Sequence, residues 1–169
     1  MKRAILWLLV LTILAGALLG IRAIYFSDEA RVRRTIRGLL VDVSFKAGTG
    51  NIAKAAKFNR ITGRLTDDFT ISVEQVVPKA PEMQGQSEIR AAIQFILTQF
   101  KWCDVTVHDV VVKPVAAGER EARAAMTISV ATSEPGAEIT AQEFDVKLRK
   151  NQEGKWQLSR VSAVPTLKR

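Results

Sequence analysis

The chain holds one histidine, one cysteine and one tyrosine, so acid–base and nucleophilic chemistry has few places to sit. His108 is the side chain that titrates nearest neutral pH. It falls in a stretch that alternates like a strand, sharing a face with Trp102, Asp104, Thr106 and Val110. Asp104 is then roughly 13 Å away at about 3.3 Å per residue, too far to hydrogen-bond, and Asp109 points to the opposite face. A catalytic acid for His108 must come from another element. The candidates are Asp42, beside an apolar helical stripe, Asp68, and Glu74 on the strand that follows. Asp67 and Asp68 are adjacent acids ahead of a strand and read first as turn formers. Cys103 has no neighbour that would lower its pKa and reads as a buried thiol.

Single Cys and His residues exclude an internal disulfide and the usual Cys/His zinc sites, so no metal is expected. Gly48-Thr49-Gly50 lacks the Lys-Ser/Thr of a phosphate loop. No cofactor is expected either.

The elements that must position these residues follow from periodicity. Ser27 caps a helix with Asp28 and Glu29 in its first turn, and Val32, Ile36, Leu39, Leu40 and Val43 form its apolar stripe. Arg31, Arg33, Arg34 and Arg37 fall off that stripe, as a solvated face or a face for anionic headgroups. Asn51 caps a second helix to about Arg64, Leu65 to Asp68 turns into a strand through Phe69, Ile71 and Val73, and Pro78 to Gln86 forms a loop. Ser87 caps a third helix whose face is Ile89, Ile93, Ile96, Leu97 and Phe100. Four strands follow, near 102–115, 120–132, 138–150 and 155–164. Ala122, Ala124, Met126, Ile128 and Val130 share one face, as do Phe144, Val146 and Leu148. The third helix is expected to pack on that last face. Helices covering one side of an antiparallel meander make an α+β cone with a potential ligand pocket. Phe69, Phe95, Phe100, Trp102, Phe144 and Trp156 are the candidate pocket lining.

Residues 4–21 carry no charge and follow Lys2 and Arg3. Eighteen helical residues span roughly 27 Å, about one hydrocarbon core. Cleavage after Ala15-Gly16-Ala17 would leave an apolar leader on the mature chain, so an uncleaved signal-anchor is the better reading. Residues 1–26 are then a transmembrane anchor and 27–169 the domain. That puts the protein in a bacterial-type cytoplasmic membrane as a single-pass protein, in contact with lipid, its domain on the periplasmic side. The formal charge is +8, but Lys2, Arg3 and Arg22 precede the domain, which is left with 22 basic against 17 acidic groups. That balance is too weak for a nucleic-acid partner.

The order of elements, Leu65-Thr66-Asp67-Asp68-Phe69, Gly85-Gln86-Ser87-Glu88-Ile89-Arg90 and the closing Gly154-Lys155-Trp156-Gln157-Leu158 resemble the nuclear transport factor 2-like superfamily in its SnoaL-like branch. The resemblance covers about 27–164. It implies a cone-shaped curved sheet covered by three helices, on which isomerases, cyclases, dehydratases, ligand binders and adaptors are all built. Enzymes of the isomerase type use a pocket Asp with a Tyr or Asp donor, and the one tyrosine here, Tyr25, flanks the membrane run. The expectation is therefore a membrane-tethered, non-catalytic ligand-binding or assembly domain, taking a small hydrophobic ligand, a protein partner, or a second copy through the sheet face. The alternative is a pocket enzyme of the isomerase, cyclase or dehydratase type.

Overall fold

The structure, a computed structural model, describes residues 27–73, 82–116, 118–136 and 138–165. The uncharged run 4–21, Tyr25 and Glu74 lie outside these residues. Among the described residues no helix is long and apolar enough to cross a membrane.

Ser27 does cap helix α1 (Asp28–Val43), its side chain accepting the Ala30 N–H at 3.2 Å. Val32, Ile36 and Leu40 are buried along one side of α1. Helix α2 (Asn51–Thr62) is capped by Gly50 rather than Asn51, and helix α3 (Gln86–Gln99) by Gly85 rather than Ser87. Neither glycine offers a side chain, so the sequence rule that looks for a polar cap lands one or two residues late. Gly85 sits at φ 81, where a side chain would be strained. Phe100 is the extended C-cap of α3, not a residue of its helical face.

The expected turn Leu65–Asp68 is already strand β1 (Leu65–Ser72), in which Leu65 is buried and pairs with Leu158. Gly63 and Arg64 make the turn instead. Strand β2 (Met83–Gln84) pairs with β1 inside the expected loop. Strands β3 (Cys103–Val112), β4 (Glu121–Thr132), β5 (Ile139–Lys150) and β6 (Trp156–Ala163) form the antiparallel meander. The six strands run β2-β1-β6-β5-β4-β3, with β1 parallel to β6. Register shifts between β3 and β4, β4 and β5, and β5 and β6 bend this sheet.

The core joins Val32, Ile36 and Leu40 of α1 to Ala122, Ala124, Met126, Ile128, Phe144, Val146, Leu148 and Leu158 of the sheet. The alternation therefore reads correctly along β4 and β5, except that Val130 is only half-buried. The covering helix is different from the expected one. Helix α1 packs on β3 and β6, while α3 packs on α2, β1 and β2. Phe100 joins Phe45, Leu97 and Cys103 in a small satellite cluster.

Candidate functional site

Among the described residues, the acid–base candidates His108, Asp42 and Asp68 each have partners of their own. His108 is the extra residue of a bulge between Val107 and Asp109, and the bulge exposes both His108 and Asp109 while turning Val110 into the core. Strict alternation misassigns Val110 and Asp109 for that reason. His108 Nε2 lies 2.8 Å from Ser129 Oγ, which accepts the Ala141 N–H at 2.9 Å. The Asp109 carboxylate accepts the Val110 N–H at 2.7 Å and so serves the bulge. Among the described residues no carboxylate pairs with the His108 ring; its partner is a hydroxyl on the exposed face of the sheet.

Asp42 is buried, and it forms ion pairs with two arginines, hydrogen-bonded only to Arg60. Arg60 Nε lies 2.8 Å from one oxygen and Arg64 Nη2 lies 3.2 Å from the other. The carboxylate ties α1 to α2. Asp68 is exposed and pairs with Arg149 at 2.9 Å. The Thr66 hydroxyl, then Arg149, hold its carboxyl below the ordinary range. Among the described residues no group of three or more His, Cys, Asp or Glu side chains could hold a metal ion.

The six aromatic residues do not share a pocket. Phe69, Phe144 and Trp156 are buried in the main core, where Ile36, Leu148 and Leu158 are essentially inaccessible to solvent. Phe100 belongs to the satellite cluster, Trp102 lines a shallow cavity beside Phe45 and Cys103, and Phe95 is 60% exposed. Packing has claimed the interior side chains that were candidates for ligand contact.

What the fold does assemble is a basic groove of about 580 Å³ between α1, the Gly63–Arg64 turn and the β5–β6 turn. Helical spacing puts Arg31, Arg34 and Thr35 on its wall; Arg33 and Arg37 are exposed and do not line it. The first helix thus splits the four arginines between two sides. Arg64 enters from the turn after α2, held by the Thr35 carbonyl at 3.3 Å and by Asp42. Lys155 enters from the β5–β6 turn, paired with Glu153 at 2.7 Å. Asn151 Oδ1 accepts the N–H groups of Glu153 and Lys155, and Gly154 takes φ 74, so the turn presents Lys155 in a defined place. Four cations and one carboxylate line the groove.

Behind the groove, Asp28 accepts from Lys150 Nζ at 2.8 Å and from the Trp156 indole N–H at 3.2 Å. Lys150 Nζ also stands 4.8 Å over the Trp156 ring. The Lys150 hydrogen bond, the indole N–H and the charges of Lys150 and Arg31 together hold the Asp28 carboxyl below its ordinary value. Arg64 and Lys155 escape a sequence reading because they reach Arg31 only through tertiary folding. The spacing of Arg31, Thr35 and Gly38 along one side of α1 is the single local sign of the groove.

No family model matches the sequence, and no curated protein matches it either. Solved structures do match the fold. A protein proposed to be a scytalone dehydratase from Novosphingobium aromaticivorans superposes with a TM-score of 0.60 at 14% identity, over 89% of this chain and 87% of that one. A nuclear transport factor 2-like protein of unknown function from Pseudomonas putida gives 0.59 at 14% identity, over 80% and 84%. A protein proposed to be a ketosteroid isomerase from Shewanella frigidimarina gives 0.55 at 10% identity, over 82% and 96%. At these identities the likeness is one of fold: an α+β domain with the nuclear transport factor 2-like arrangement of three helices on a bent sheet.

Proposed function

We propose that this chain is a non-catalytic binding or assembly domain, held at a cytoplasmic membrane by residues 4–21. The observation that supports it is the separation of the candidate acid–base groups. Asp42 is consumed by Arg60 and Arg64, Asp68 faces Arg149, and His108 sits with Ser129 on the exposed side of the sheet. A pocket enzyme needs a proton donor and acceptor within reach of one substrate, and these three groups offer no such pair. The basic groove is the better-built feature, and it opens beside the first turns of the helix that follows the apolar run.

The test is the fate of the full chain in cells. It should sediment with membranes after a carbonate wash and keep residues 1–26 by intact mass. A chain released into the supernatant, or one whose mature N-terminus is Leu18, would overturn the tether.

A further inference from the structure

We propose that the groove walled by Arg31, Arg34, Arg64 and Lys155 binds the phosphate of an anionic membrane-lipid headgroup. Its volume of about 580 Å³ is within the range of roughly 300–1,000 Å³ common for small-ligand sites. Its charge selects an anion, since Arg31, Arg34, Arg64 and Lys155 line it against the single carboxylate Glu153, and the ion pairs of Lys155 with Glu153 and of Arg64 with Asp42 still leave the lining net positive. Guanidinium groups give the site its geometry, because their paired N–H donors match phosphate oxygens. Arg64 is held in place by the Thr35 carbonyl and Asp42, so little side-chain freedom is lost when an anion arrives.

The lipid source follows from chain length. Ile21 ends the uncharged run and Asp28 begins α1 seven residues later. Seven residues reach at most about 25 Å even when fully extended. The start of α1, whose first turns carry Arg31 and Arg34, therefore cannot stand more than about 25 Å from the end of the run in any bilayer that holds residues 4–21, which keeps the headgroups within its reach. Cations that come within a Debye length of the surface add about 1 kcal/mol each towards anionic lipid. This assignment of lipid as the source rests on the tethered reading; the anion site itself rests on the groove.

The full chain in neutral detergent micelles is titrated with short-chain phosphatidylglycerol, short-chain phosphatidylcholine and inorganic phosphate. Phosphatidylglycerol should saturate a site while phosphatidylcholine does not, and equimolar inorganic phosphate should not displace the lipid. Arg31→Gln and Lys155→Gln should each weaken binding about fivefold, and together about 25-fold. The pair Arg33→Gln and Arg37→Gln should leave affinity unchanged, and matching circular dichroism keeps folding out of the comparison. Equal binding of the two lipids, or no effect of Arg31→Gln with Lys155→Gln, would overturn the site. Displacement by inorganic phosphate would overturn the lipid assignment. A chain that carbonate releases but that still binds phosphatidylglycerol through Arg31 and Lys155 would sink the tether and leave the groove standing.

Discussion

Arg64 crosses helix α1 directly over Gly38: a Cβ added at Gly38 would run into its guanidinium. From that crossing Arg64 donates to the Thr35 carbonyl and pairs with the buried Asp42 carboxylate. The glycine is there for its neighbour, since glycine inside a helix costs about 0.5–1 kcal/mol relative to alanine.

A double-mutant cycle separates the two effects. With Arg64→Ala in place, Gly38→Ala should stabilise the domain by about 0.5–1 kcal/mol, the ordinary helix gain. With Arg64 present the gain should vanish or reverse, because the guanidinium must leave Asp42 to make room. Urea unfolding of the four proteins gives the coupling. Equal effects of Gly38→Ala in both backgrounds would mean that Arg64 does not occupy that crossing.

Asp28 should make stability depend on pH in the acid range. Lys150, Trp156 and the charge of Arg31 lower its carboxyl below the ordinary 3.8. The unfolded chain takes up the proton first as pH falls, so the stabilisation is complete above about pH 5 and is lost as pH drops through 3.8 and the lowered native value. Asp28→Asn should cost about 1–2 kcal/mol at neutral pH, the scale of a hydrogen bond to a charged group. The gap between wild type and variant should close as the pH falls through 3.8 and then through the lowered native value. Unfolding free energies at stepped pH would show it, and a gap that stays constant would rule out the carboxylate as the cause.

Legibility in the sequence tracks how local the determining interaction is. The burial of Val32, Ile36 and Leu40, and of Ala122, Ala124, Met126 and Ile128, is written in periods of 3.6 and 2 and is read directly. The caps are misplaced because Gly50 and Gly85 cap by backbone conformation, leaving Asn51 and Ser87 as decoys. The bulge at His108 adds one residue to a regular alternation and so inverts Val110, which no pattern of apolar residues reveals. Strand β2 has two residues and no period of its own. The groove is the least legible feature, because Arg31, Arg64 and Lys155 come from three separate parts of the chain. Only the residues of α1 could have hinted at it, through the shared side of Arg31, Thr35 and Gly38.

The choice of covering helix has a measurable consequence at Leu148 and Phe100. Leu148 is fully buried in the main core that α1 shares with the sheet, whereas Phe100 is a half-buried helix cap in the satellite cluster. Leu148→Ala should therefore cost about 3–5 kcal/mol, a large part of the stability of a domain this size. Phe100→Ala should cost about 1–2 kcal/mol, since solvent already covers part of the ring. Denaturant midpoints of the two variants would rank them. A larger loss for Phe100 would restore α3 as the helix that closes the core.

Cys103 should behave as an inert thiol until the domain opens. Its side chain is buried, and the Phe45–Cys103 bridge closes backbone hydrogen bonds of 2.7 and 2.9 Å around it. Burial pushes the thiol upward, and the negative charge of Asp104 adds to the rise. The reactive thiolate is therefore scarce at neutral pH as well as shielded. An aromatic disulfide reagent should label the native protein slowly at pH 8 and the urea-unfolded protein at once. Asp104→Asn removes the second cause and should speed labelling of the native state. Because Asp104 is exposed, that change should cost less than about 0.5 kcal/mol of stability. Immediate stoichiometric labelling of the folded protein would mean that the Phe45–Cys103 seam opens on its own, and the satellite cluster could not then be a closed part of the core.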